Sequence, residues 1–297
     1  MDATMFITIG AVHTGSAATH FTRILRNCDR LVGFSGSWPG TWQFNHWDAD
    51  QIQIMGTIPR GVQYLDFNCM MARKPEATPF FTRLSPTLIA MRISRPLIDK
   101  AGFGEAQFPR LTHLDLSHLH TYCLRSMQNW AVNSLVCLSI SDVPVGEPFF
   151  QALDGLGTSL ISLRLGTGIK PSEDLFTRIF TLATALEKFR YQFDRCLTRA
   201  WSTIKYHSSL CHITCDVCNN GIACQYDVIT ASIGAHFMDL DPQRLPALRC
   251  VVVEGLQELR MFLKAPGSKM GMEGAIRELR SVNESLGNSG VEVKFGY

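Results

Sequence analysis

The 297-residue sequence is poor in charge. Asp, Glu, Lys and Arg make up 18% of it, against about 25% in an ordinary globular chain. The basic residues exceed the acidic ones by two, a formal net charge of +2. So small a surplus excludes nucleic-acid binding driven by the charge of the whole chain. No apolar run approaches the ~20 residues of a transmembrane helix, so no membrane partner is expected either. Catalytic signatures are also missing. The sequence contains no G-x-S-x-G elbow, no Walker A loop, no G-x-G-x-x-G turn and no H-E-x-x-H pair. Ser, His and Asp all occur, but nothing orders them into a triad. The expectation is a non-enzyme with no catalytic residues and no cofactor.

What is present is apolar and periodic. Hydrophobic residues make up 46%, enough for a sizeable core. The spacing L-x-x-L-x-L occurs at Leu111/Leu114/Leu116 and returns at Leu135/Leu138/Ile140, Leu160/Leu163/Leu165, Leu186/Phe189/Tyr191 and Leu210/Ile213/Cys215. Upstream it stands at Val62/Leu65/Phe67 and Leu88/Met91/Ile93, and downstream at Leu248/Val251/Val253. The first seven starts are separated by 26, 23, 24, 25, 26 and 24 residues, and a step of 38 leads to the last. Weaker copies stand at Leu31/Phe34 and Ile7/Ile9, and Val291-Val293-Phe295 reads as a final strand.

A period of 20–29 residues is that of the leucine-rich repeat. Each unit is one strand and one helix, and stacking neighbours buries the first, fourth and sixth positions. With strands ~4.8 Å apart, eight such ladders span roughly 35 Å. The fold expected is α/β: a leucine-rich-repeat solenoid with a parallel concave sheet and irregular helices on the convex side. One solenoid is expected over 1–297. Irregular units fill 1–60, regular repeats 61–220, an insertion 221–244, and a C-terminal repeat with its cap 245–297.

Helical stripes lie between the strands. Leu124, Met127, Trp130 and Ala131 share a face, as do Phe149, Phe150, Leu153 and Leu156. Ser172 is placed to cap a helix carrying Leu175, Phe176, Ile179, Phe180 and Ala183. A helix is expected in the insertion around Ile222 to Phe237. Another stripe runs through Met272, Ala275, Ile276, Leu279, Val282 and Leu286.

Residues at the third and fifth positions of each unit should face the concave side. These are Tyr64 and Asp66, Ala90 and Arg92, His113 and Asp115, Cys137 and Ser139, Ser162 and Arg164, Lys188 and Arg190, His212 and Thr214, and Cys250 and Val252. Of these, Tyr64, Asp66, His113, Asp115, Arg164, Lys188, Arg190 and His212 are the candidate partner-binding residues. Arg164, Lys188, Arg190 and His212 fall on adjacent strands, where they suit a carboxylate- or phosphate-bearing segment. The alternative is an ordinary solvated face. Arg190→Glu is expected to leave the fold intact and weaken only a negatively charged partner.

Two clusters suggest a metal. Cys211, Cys215, Cys218 and Cys224 contain a C-x₂-C spacing that zinc favours. The repeat register instead makes Cys215 a buried sixth position and Cys218 a ninth, where the repeat takes Asn or Cys. Structural thiols are therefore expected, with a metal-dependent protein built on Cys211–Cys224 as the alternative. His113, Asp115, His118 and His120 read as polar strand positions before they read as ligands. The aromatic connector Trp38, Trp42, Phe44 and Trp47 suits a cap over the open end of the solenoid, or else an exposed anchor patch.

The ten cysteines are scattered through a chain too long to need staples, which suggests reduced thiols. The apolar start, Met5 to Val12, has no basic flank and makes a poor signal peptide. Cytoplasm or nucleus is the expected compartment.

From about Phe21 to Tyr297 the units resemble the repeats of fungal F-box proteins, in particular the divergent families of mushroom-forming fungi. The resemblance is carried by Phe21-Thr22-Arg23-Ile24-Leu25-Arg26-Asn27-Cys28-Asp29-Arg30-Leu31, Phe108-Pro109-Arg110-Leu111, Leu245-Pro246-Ala247-Leu248 and Val291-Glu292-Val293-Lys294-Phe295. It implies a protein or peptide partner on the concave sheet and the role of a ubiquitin-ligase substrate adaptor. No F-box is found among these residues, and the chain is expected to begin inside a repeat. A ligase subunit is thus a partner only if an F-box lies upstream. A decayed family copy without a partner is a further alternative.

Overall fold

The computed structural model describes residues 5–9, 15–37, 53–68, 71–72, 74–95, 97–98, 105–157, 159–193, 199–217, 226–255, 277 and 280–295. The chain divides into two compact units, Met1–Ser159 and Leu160–Tyr297.

In chain order the first unit carries β1 (Met5–Ile9), α1 (Gly15–Arg26), β2 (Leu31–Ser37), α2 (residues 53–57) and β3 (Tyr64–Asn68). There follow β4 (Met71–Ala72), α3 (Lys74–Leu84), β5 (Ala90–Ser94), β6 (Leu97–Ile98), β7 (Ala106–Gln107) and β8 (His113–Ser117). It ends with α4 (Thr121–Met127), β9 (Trp130–Ala131), β10 (Cys137–Ser141) and α5 (Glu147–Gly157). Six strands lie parallel in the order β1–β2–β3–β5–β8–β10. The short pairs β4–β6 and β7–β9 are parallel too.

The second unit carries β11 (Ser162–Leu165), α6 (Glu173–Leu182), β12 (Lys188–Gln192), a 3₁₀ turn Ala200–Thr203, β13 (His212–Asp216), α7 (Tyr226–Met238), β14 (Cys250–Glu254) and β15 (Glu292–Phe295). These five strands are parallel in chain order.

Register follows the repeat. Leu65, Met91, Leu114 and Leu138 are ladder partners in the first unit, and Phe189, Ile213, Val251 and Val293 in the second. Successive side chains on a strand point to opposite faces. The fourth and sixth positions therefore turn together toward the helices, and all eight units bury them. The first position lies just before each strand and is buried as well, from Val62 at 0% to Leu248 at 6% exposure.

The helices cover this apolar face. Phe176 and Phe180 of α6 pack on Phe189 of β12, and Trp201 closes the cluster with Tyr191. Ser172 caps α6, its hydroxyl accepting from the Leu175 N–H at 3.1 Å, as its position predicts. Phe149, Phe150, Leu153 and Leu156 are buried on α5. The stripe through Leu124 is shorter than its spacing predicts. The helix stops at Met127, and Trp130 and Ala131 form β9 instead. Pairing with Ala106 and Gln107 draws them out of the helix, and the Trp130 ring packs 4.9 Å from Phe108. The insertion helix runs from Tyr226 to Met238, near its expected place. In the last stripe Val282 and Leu286 are buried, whereas Met272, Ala275, Ile276 and Leu279 lie outside the described residues.

Hydroxyl groups join one repeat to the next at the residue before the first apolar position. Thr87 Oγ1 donates to the Val62 carbonyl at 2.9 Å, Ser134 Oγ to Pro109 at 2.7 Å, and Ser209 Oγ to Thr184 at 3.2 Å. These bonds satisfy turn carbonyls that the strand ladders leave over.

Candidate recognition face

The strand face opposite the helices carries the third and fifth positions, half-buried or exposed save for buried Gly33 and Thr214. Each unit presents its own face.

In the first unit, ladder partners across the third position are Phe6, Gly33, Tyr64, Ala90, His113 and Cys137. Two residues further along stand Thr8, Ser35, Asp66, Arg92, Asp115 and Ser139. Tyr64 and His113 are exposed, and Asp66 and Asp115 half-buried. Arg92 Nε lies 3.6 Å from Asp115 Oδ2, a loose, solvated pair. Ser35 Oγ donates to Asp66 Oδ2 at 3.1 Å. His113 Nδ1 stands 2.8 Å from the Thr112 hydroxyl.

The residues grouped with His113 in the sequence separate in space. His118 Nε2 faces Asp142 Oδ2 at 3.6 Å, and the His120 ring stacks on Tyr122. Among the described residues, no three His, Cys, Asp or Glu side chains come together to hold a metal ion. Cys215 is fully buried at its sixth position, and Cys211 Sγ points to the Glu187 carbonyl at 3.3 Å. Cys218, Cys224 and the aromatic connector Trp38, Trp42, Phe44 and Trp47 lie outside the described residues.

In the second unit the third positions are Ser162, Lys188, His212 and Cys250, followed by Glu292 on β15. The fifth positions are Arg164, Arg190, Thr214 and Val252, followed by Lys294. The expected cationic group is only partly available. Arg190 Nε and Nη2 each donate at 2.8 Å to the two oxygens of Asp216, and Nη2 also donates to Glu254 Oε2 at 2.7 Å. A forked guanidinium on paired carboxylates is an internal clamp. Burial alone lowers the Arg190 pKa, but Asp216 and Glu254 outweigh it and raise the value. Arg164 and Lys188 have no such carboxylate among the described residues. His212 is held below its ordinary pKa, first by burial and then by Lys188 and Lys294, with Glu254 opposing.

Asp216 and Glu254 escape a reading confined to positions three and five. They occupy the seventh position, which has the same parity and so the same face. Phe6 escapes because its strand is the least regular copy. Its ladder partner is Gly33, and its ring meets Tyr64 with centroids 6.0 Å apart.

Period, parallel ladders and buried first, fourth and sixth positions make this chain an α/β protein of the leucine-rich-repeat class. No protein-family model matches it, and no curated protein does. Among solved structures it is similar to the leucine-rich repeat-containing protein LegL7 from Legionella pneumophila. That likeness has a TM-score of 0.48 at 12% identity, over 98% of this chain and 89% of that one. No helix among the described residues is long and apolar enough to cross a membrane.

Proposed function

We propose that this chain is a recognition scaffold without catalytic activity, which binds a protein or peptide on the strand faces of its repeats. The observation that supports this most is the contrast between the two faces. One is sealed by helices, and the other offers ordered rows of polar, charged and aromatic side chains at a fixed spacing. Such faces suit extended partners, because side chains recur every ~6.6 Å along a strand and neighbouring strands lie ~4.8 Å apart. Tyr64, Asp66, His113, Asp115, Arg164, Lys188 and His212 are the proposed contacts, with Arg190 holding Asp216 and Glu254 in place beside them.

The finer reading comes from the resemblance to fungal F-box proteins. In it these repeats choose the substrate of a ubiquitin ligase, in the cytoplasm or nucleus, and an F-box module supplies the ligase contact. The test is affinity purification of the tagged chain from its own cells, alongside a Tyr64→Ala/His113→Ala/Lys188→Ala variant and a variant of a half-buried helix position, Arg178→Ala. The expected outcome is a protein partner kept by Arg178→Ala and lost by the triple variant. A partner lost by neither would sink the strand face as the site. Ligase subunits among the retained proteins would support the adaptor role.

A further inference from the structure

The outer face of β1, β2 and β3 holds an apolar feature that stands apart from the polar rows around it. Phe6 is 62% exposed and Tyr64 42% exposed, though both are large and aromatic. They occupy strands on either side of β2, in register with Gly33 between them. A Cβ at Gly33 would collide with the Phe6 ring. The ring therefore lies across the bare backbone of β2 and reaches Tyr64, at a centroid distance of 6.0 Å and a tilt of 39°. Glycine at this position makes a continuous two-ring platform out of side chains on alternate strands.

One end of the platform is acidic. Asp66 follows Tyr64 by two residues and so stands on the same face of β3. Its partner among the described residues is the Ser35 hydroxyl, which orients the carboxylate without neutralising it. The next cation, Arg92, is aligned with Asp66 but pairs with Asp115. The face thus offers two aromatic rings and, two residues along β3, a carboxylate with no ion-pair partner among the described residues. Aromatic faces attract cations through their quadrupole, and lysine and arginine carry an apolar stem below the charged head.

Resting on the scaffold reading above, we propose that Phe6, Tyr64 and Asp66 form a subsite for a lysine or arginine side chain of a peptide partner. The stem lies along the two rings and the cation meets Asp66. Gly33 is a positioning residue, since it acts only through the place it leaves for Phe6.

A random peptide library displayed on phage and panned on the full chain tests both readings at once. The expected result is enrichment of peptides with a lysine or arginine. Synthesised singly, such a peptide should bind about tenfold more weakly to Asp66→Asn and about fivefold more weakly to Phe6→Ala. Gly33→Ala should weaken it comparably by displacing the ring, and Arg125→Ala, at an exposed position of α4 away from the strand face, should leave it unchanged. Phe6 is largely exposed, so the variants should keep the parent melting temperature, which is measured alongside. Enrichment of acidic or uncharged peptides, or of basic ones indifferent to Asp66→Asn and Phe6→Ala, overturns the subsite and leaves the scaffold standing. No enrichment of any peptide counts against both.

Discussion

At the residue scale, Arg190 shows how a side chain can leave the role its position suggests. On sequence it is one of four cations on neighbouring strands. In the fold it is committed to Asp216 and Glu254. Arg190→Glu would set a third carboxylate beside those two, so the expectation that it leaves the fold intact no longer holds. The cleaner probe is Arg190→Met, which keeps the stem and removes the charge. It should cost about 1 kcal/mol in urea denaturation, since the hub is half-exposed and screened. Arg190→Lys should not restore the loss, because an ammonium cannot span both oxygens of Asp216. Full recovery by lysine would mean that the fork contributes nothing.

Backbone constraint is also local. Arg95, His118 and Asp142 have φ of 48°, 53° and 50° at the same place in three successive repeats, immediately after the strand. The Arg95 and His118 N–H groups donate to the Ser117 and Ser141 carbonyls of the next repeat. The left-handed turn is thus imposed by stacking, against the preference of non-glycine residues. In the second unit Gly255 takes the equivalent place at φ 84°, where a Cβ would meet the Val217 carbonyl.

At the element scale the strands carry the stability. Leu163 is fully buried between the aligned rows of β11 and the helices. Leu163→Ala should cost about 2–5 kcal/mol through lost burial and the remaining cavity. Leu163→Asp should cost more, because it buries a charge with no partner, and Leu114→Asp should do the same in the first unit. Limited proteolysis is the check: an Asp variant as resistant as the parent would mean that the register is wrong. These outcomes depend on the repeat, since the fourth position is buried in every repeat.

For the whole molecule, the prediction concerns pH. His207 is 3% exposed, and both its nitrogens are occupied. Its Nδ1 accepts from the Leu210 N–H at 3.2 Å, and its Nε2–H donates to the Ala183 carbonyl at 3.0 Å. Protonation would put a second N–H against that of Leu210. Burial lowers the His207 pKa from 6.5, and the bond to Ala183 only partly opposes it. His212 is lowered as well. Below pH ~6.5 the unfolded chain therefore binds more protons than the folded one, and folding stability falls with pH. The stability is fully present above that value and is lost as pH drops through the folded values. Urea midpoints at about pH 7.5 and pH 5.5 should show the decline. The double variant His207→Gln/His212→Gln should flatten it. A flat profile in the parent chain would refute this account.

The core was legible in the sequence nearly residue by residue. Leu111, Leu114 and Leu116 and their counterparts through Val253 are buried as their spacing requires, because a strand has a side-chain period of two and a repeat has only one face to hide. Ser172 was legible as a cap for a similar reason: the bond it makes is local. Trp130 was not, since its strand partners come from Ala106 and Gln107, far back in the chain. The same division runs through the outer face. Sequence alone determined that Tyr64, Asp66, Lys188 and Arg190 stand on it, because parity along a strand is a covalent property. Only the tertiary structure decided that Arg190 is clamped by Asp216 and Glu254 and that Phe6 reaches Tyr64 across Gly33. Those contacts join residues 26 to 64 positions apart, and they exist only once parallel strands align in register.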